Sequence, residues 1–170
     1  MGSEMCIRDS INNAGAAIGP KDILDMDEES WDKTFQLNTR TPFYLAQNAF
    51  KHMKENGGGK IINISSISVK YGGSSQTLHY GGAKSALETI TLGLSKAGAK
   101  HNILVNTVRG GYIDTPMHQK MGRKNSKERI EMIPLKRAGK PEDIARIVLF
   151  LASEAGDFIT GETFTVAGGD

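Results

Sequence analysis

Cys6 is the only cysteine in 170 residues, so no disulfide can close within the chain and no cysteine cluster can hold zinc. An excess of one charge is missing too. The 21 basic and 19 acidic residues leave a net charge of +2, too balanced for nucleic acid to be the main partner. The longest strongly apolar run, Ile147 to Ala152, falls far short of the roughly 20 residues a membrane-spanning helix needs, and no secretory hydrophobic region opens the chain. These absences leave a cytoplasmic protein with no membrane and no nucleic-acid partner as the expectation. His52, His79, His101 and His118 lack metal-ligand spacing, so they are read as surface or packing residues and no metal site is expected. With 38% apolar and 24% charged residues, the length suits one globular domain with a sizeable core.

What is present is an alternation. The β-rich runs Lys60 to Ser66, Ile103 to Val108 and Thr163 to Val166 alternate with longer stretches of helical period, the mark of βαβ units and a parallel sheet. The first helix is expected from Asp27, a capping residue followed by the acids Glu28 and Glu29, to about Asn56, where Gly57-Gly58-Gly59 stops it. The second, from about Tyr80 to Lys100, sets Ala83, Leu87, Ile90 and Leu94 on one stripe and closes at Gly98 and Lys100-His101-Asn102. The third opens at Pro141-Glu142-Asp143 and buries Ile144, Ile147, Val148 and Leu151. Pro116 to Arg137, charged and carrying Met117 and Met121, reads as a mobile crossover. The fold class is α/β.

Tyr80 and Lys84 form a Tyr-x-x-x-Lys pair at the head of the second helix, 14 residues after Ser66. Four residues is about one helical turn, so phenol and ammonium share a face. A fixed cation beside the phenol is expected to lower its pKa and fit it for general acid or base work. Asn38 lies at helical spacing from Trp31 and Phe35, so it falls on their apolar face and needs a partner. Pro42 brings no N–H to the Asn38 carbonyl four residues back, which frees that carbonyl to hold a water. A kinked helix whose asparagine bonds to nearby backbone is the simpler account of Asn38 alone; beside Tyr80 and Lys84, a proton relay is preferred. Ser65 and Ser66 lack the Gly-x-Ser-x-Gly elbow, but a hydroxyl at the end of a parallel strand can donate to a developing oxyanion. Asn12-Asn13-Ala14-Gly15 is a turn whose small residues permit close approach of a flat cofactor. Gly57-Gly58-Gly59-Lys60 precedes a strand and is a loop, not a phosphate-binding P-loop.

Taken together these residues resemble the short-chain dehydrogenase/reductase family from about Ile11 to Asp170. Asn12-Asn13-Ala14-Gly15 is similar to its NNAG segment, Asn38 to its catalytic asparagine, Ser66 to its serine, and Tyr80 with Lys84 to its Tyr-x-x-x-Lys pair. Asn106 to Gly111 is similar to its N-x-V-x-P-G segment, and Ile113 and Thr115 match positions that contact the nicotinamide carboxamide. The tail, from Pro134-Leu135 through Pro141-Glu142-Asp143-Ile144 to Ile159-Thr160-Gly161, is similar to compact members near the 3-oxoacyl-carrier-protein reductases.

The resemblance implies a Rossmann-like doubly wound parallel sheet and an oxidoreductase using NAD or NADP, with a slight lean to NADP. Its substrate would be a small carbonyl or alcohol, or an acyl-carrier substrate. Asn38, Ser66, Tyr80 and Lys84 would be catalytic. Asn12, Ala14, Gly15, Tyr80, Lys84, Gly110, Gly111, Ile113 and Thr115 would bind the cofactor. A homotetramer pairing its two long helices between subunits is implied as well. Because the family's first βαβ half is not seen, residues 1–10 are read as a spurious leader and 11–170 as the C-terminal two-thirds of one domain, weakly active or inactive alone. A noncatalytic binding or regulatory relative, and a sugar-nucleotide epimerase or dehydratase, stay as alternatives. Gly110 in place of the usual proline is expected to loosen its loop, Ala167 in place of an Asp to lose a local bond, and Ser68 is a minor rival of Ser66. Lys120, Arg123, Lys124, Lys127 and Arg129 read as a basic face that could meet an acidic carrier.

Overall fold

Four parallel strands form one sheet in the order β1 (Asp9–Asn12), β2 (Gly59–Ser66), β3 (Ile103–Gly110), β4 (Thr163–Val166) in this computed structural model, which describes residues 8–116 and 127–170. The three expected strands are present, and β1 adds the short apolar run ahead of Asn13. Asp9 and Ser10, expected in a leader, pair with Lys60 and Ile61 in β1.

Helices cover both faces, as parallel strands require when neither face meets water. On one face lie α1 (Glu28–Phe35), α2 (Thr41–Glu55) and α4 (Leu78–Gly98), and on the other lies α6 (Pro141–Ala152). The short helices α3 (Ser68–Tyr71) and α5 (Lys127–Met132) follow β2 and precede α6. Odd-numbered residues Ile61, Ile103 and Val105 pack with Ala46 and Met53 of α2, whereas even-numbered Ile62 and Val108 meet Leu151 of α6. That period of two splits the core into two layers. Each fully buried aliphatic side chain contributes about 1.5–3 kcal/mol of transfer free energy.

The Asp27 cap forms as expected, its carboxylate accepting from Ser30 N–H at 2.7 Å. The expected single helix to Asn56 is interrupted. Residues Gln36–Arg40 make a wider π-type turn in which Thr41 N–H bonds to Gln36 O, five residues back, directly before Pro42. A proline without N–H cannot continue the ladder, so the register shifts beside Asn38. The α-helical part of the second helix ends at Gly98, as expected, and a 3-10 turn over Ala99–His101 follows it. A β-carbon on Gly98 would meet the Ile103 carbonyl, so glycine lets helix and strand touch, and the turn closes at Asn102 with φ 55°.

Gly110 is not loosened either. It extends β3, pairs with Ser66 and Val166, and accepts from Ile67 N–H at 2.7 Å. Ala167 sits where a β-carbon on Gly111 would lie 2.6 Å from its Cα, so two small residues let the strand ends close up. Of the Pro116 to Arg137 crossover, residues 117–126 lie outside the described residues.

Candidate active site

Helix α4 meets β2 like a zipper, and the site is its upper end. Successive inward turns of α4 carry Tyr80, Lys84, Glu88 and Thr91. Tyr80 is hydrogen-bonded to the Ser66 hydroxyl. Lys84 Nζ donates to Ile64 O at 2.7 Å, Glu88 accepts from Ser65 Oγ at 2.7 Å, and Thr91 accepts from Asn63 Nδ2 at 2.8 Å. Asn63 in turn accepts from Asn12 Nδ2 at 2.8 Å, which ties β1 to the same series. Ser66 ends its strand, and the segment to Tyr80 is taken up by α3 and a turn at Gly72, whose φ of 76° suits glycine. Ser68 does not displace Ser66; it gives its own N–H to Ser66 Oγ at 3.2 Å.

Lys84 is almost fully buried, at 2% exposure, with its ammonium 5.8 Å from the centre of the Tyr80 ring. Burial disfavours the charged form and brings its pKa down from 10.5 to about 8. The expectation that a neighbouring cation lowers the Tyr80 pKa is corrected. Burial pushes the phenol above its usual value near 10, and the Ser66 hydrogen bond offsets only part of that rise. Desolvation outweighs the nearby ammonium because the same burial weakens both charged forms.

Asn38 is fully buried on the π turn. Its Nδ2 donates to Ala16 O at 2.7 Å and to Thr34 O at 2.8 Å, the backbone bonding its burial demanded. Its Oδ1 has no partner among the described residues. Gly15 explains the packing: a β-carbon there would lie 2.6 Å from Asn38 Oδ1 and 2.8 Å from Lys84 Nζ. Only glycine lets the loop after β1 reach these two groups. Asn13 and Ala14 are exposed beside it.

Gly110 ends β3 across from Ser66, Gly111 follows it with its N–H on Val166 O, and Ile113 bridges to Gly139. Thr115 Oγ1 is buried without a partner among the described residues. A cavity of about 270 Å³ lies beside Tyr112, Ile113, Gly139 and Ala167. The larger groove, about 610 Å³, is elsewhere, between Phe35, Thr39, Phe43, Tyr44 and Ile90. Its size does not make it the site, because the groups suited to proton transfer are at Tyr80.

Composition and spacing alone do not single out Glu88, Thr91, Thr34, Asn63 or Arg109. Arg109 pairs with Glu88 through Nε at 3.0 Å and Nη2 at 2.6 Å, a two-pronged bond between β3 and α4. Residues 21 apart carry no local spacing signal, and only strand register joins them. Arg129, read as part of a basic face, is instead bonded to Asp170 and to the Tyr71 hydroxyl. Lys120, Arg123 and Lys124 lie outside the described residues.

The sequence profile described as enoyl-(acyl carrier protein) reductase matches residues 9–170. The chain belongs to the short-chain dehydrogenase/reductase family. Over 159 residues it is 37% identical to the 3-oxoacyl-[acyl-carrier-protein] reductase FabG of Chlamydia pneumoniae, covering 94% of this chain and 63% of the relative. It is 38% identical over 162 residues to 2-dehydro-3-deoxy-D-gluconate 5-dehydrogenase of Dickeya dadantii, covering 94% of this chain and 63% of that one. A solved structure of a blue fluorescent protein from a metagenomic library, in complex with NADPH, superimposes with a TM-score of 0.88 at 33% identity, covering 96% of this chain and 65% of the other. This family member therefore spans less than two thirds of these relatives' length, and it shares their fold over almost all its own residues. No helix among its described residues is long and apolar enough to cross a membrane.

Proposed function

We propose that this chain carries the catalytic part, the C-terminal two-thirds, of an NAD(P)-dependent oxidoreductase that interconverts a ketone and a secondary alcohol. One observation carries the reading: the Tyr80 hydroxyl meets the Ser66 hydroxyl at a strand's carboxyl end, with the Lys84 ammonium buried behind it. The relatives' names are those of reductases and dehydrogenases, and one structural neighbour binds NADPH.

The residues present fit a nicotinamide cofactor. The unpartnered Thr115 Oγ1 is free to meet a carboxamide together with Ile113, and the small residues Ala14, Gly15, Gly110 and Gly111 leave backbone open to close approach. Asn12 braces that loop from β1, and Lys84 with Tyr80 would hold the ribose. A bound nicotinamide supplies the hydride. Ser66 donates a hydrogen bond to the substrate oxygen, where negative charge grows as the carbonyl is reduced. Tyr80, protonated at neutral pH, gives that oxygen its proton in reduction and takes one back in the oxidative direction. The Asn38 carbonyl, beside the Pro42 interruption, would anchor a water leading from Lys84 to solvent.

The substrate is a carbonyl compound of either an acyl-carrier or a small sugar-acid type, and the near-equal similarity to one relative of each kind supports both. Tyr80→Phe is the test. NAD(P)H oxidation with a ketone is expected to slow at least about 100-fold. The assay is read in this chain and, where its turnover is too small to measure, in a version with a nucleotide-binding βαβ unit grafted ahead of Asp9. Unchanged turnover would remove Tyr80 from the chemistry, and no turnover in either form would leave a binding or regulatory protein as the better reading.

A further inference from the structure

The geometry points to His79 as a positioning residue that clamps the loop after β1 down over Lys84. It occupies the second position of α4, next to Tyr80, and its ring is fully buried. Nε2 lies 3.0 Å from Ile18 O. A carbonyl can only accept, so Nε2 carries a proton, and Nδ1 is buried without a partner among the described residues. Such an arrangement is costly for packing alone, since an apolar side chain would leave no unsatisfied nitrogen.

Three elements converge on the segment from Ala16 to Ile18. The Ile18 N–H donates to Thr34 Oγ1 of α1 at 3.1 Å, its carbonyl takes the His79 bond from α4, and two residues earlier Ala16 O takes the Asn38 bond from the π turn. Directly before Ala16 comes Gly15, where a β-carbon would lie 2.8 Å from the Lys84 ammonium. The loop is therefore part of the wall that keeps water from Lys84, and His79 is the only one of its three anchors that belongs to the same helix as Lys84. Helix α4 thus holds the ammonium from below and, five residues earlier, the lid above it. The groups facing Lys84 are the Ile64 carbonyl, the Tyr80 ring and, across Gly15, Asn38 Oδ1. None of them is altered by changing His79.

The inference rests on the proposed role of Lys84 only for its consequence in turnover, and its test needs no turnover. In the lysine-labelled 170-residue chain the Lys84 ammonium is titrated by NMR, with Lys84→Met identifying its signal. The wild-type group should titrate near about 8. His79→Ala should let water in and shift it upward by about one pH unit or more, while His79→Gln, whose amide can still donate to Ile18, should stay with the wild type. An unmoved titration in folded His79→Ala, or a Gln variant as displaced as Ala, would overturn the clamp; a merely structural role lowers the melting temperature and leaves the folded chain's Lys84 where it was. Where His79→Ala does not fold, the ring nitrogen shifts of the wild type decide. A protonated Nε2 supports the clamp and a bare Nε2 refutes it. Failure of the Tyr80 test would leave these readings untouched.

Discussion

Lys84 shows how burying one charged side chain works against stability. Its ammonium gains the Ile64 carbonyl and the Tyr80 ring but loses water, and the loss dominates, since its pKa falls from 10.5 to about 8. Between those values the folded chain binds fewer protons than the unfolded chain, so stability rises with pH across the window, and the cost of burying the charge is fully present below it. The span corresponds to about 3 kcal/mol. Lys84→Met is expected to flatten that rise. Urea denaturation of the two proteins from pH 7 to 10.5 should show the wild type gaining relative to the variant, and parallel curves would mean that burial does not lower the Lys84 pKa. The lysine's place near Tyr80 was legible from a spacing of four. The direction of the phenol's shift was not, because burial cannot be read from spacing.

At the scale of elements, α4 carries the site by its register on β2, and the Glu88 carboxylate holds that register from the middle of the helix. It accepts from Ser65 on β2 and twice from Arg109 on β3, and the two charged side chains are 13% and 17% exposed. Glu88→Ala strands the guanidinium and the serine, and is expected to cost about 2–3 kcal/mol in chemical denaturation. The Glu88→Leu/Arg109→Leu double variant should lose clearly less than the sum of the single losses, since replacing both charges leaves neither unpaired. Additive losses would mean that the pair is not coupled. The π turn belongs to this scale as well. Pro42 and Asn38 announced an interruption in the first helix; that it would take the form of a widened turn, with the asparagine amide reaching Ala16 in another loop, depends on a contact 22 residues away.

For the whole molecule, α2 and α4 carry half-exposed Tyr44, Leu45 and Leu92, and Tyr44 also lines the 610 Å³ groove. Apolar exposure of that kind supports the proposed pairing of the long helices between subunits. Leu45→Glu is expected to shift the mass measured by light scattering toward the monomer without lowering helix content in circular dichroism. An unchanged mass, or a wild-type chain that is monomeric at high concentration, would count against that interface. Arg129 bears on partners at the same scale: its bonds to Asp170 and Tyr71 remove it from any free basic face, which leaves exposed Lys127 as the described member of that group.

By itself the sequence determined the alternation of strands and helices, the Asp27 cap, the opening of α6 at Pro141, and the presence of Tyr80 and Lys84 on one face of one helix. All of these are set by periods of two and 3.6 residues and by local backbone chemistry. Only the tertiary structure decided that Ser66 meets Tyr80, that Gly15 closes on Lys84, that His79 holds Ile18, and that burial raises one pKa while lowering another. Those outcomes depend on desolvation and on contacts between distant segments, which exist only once the sheet has brought its strand ends together.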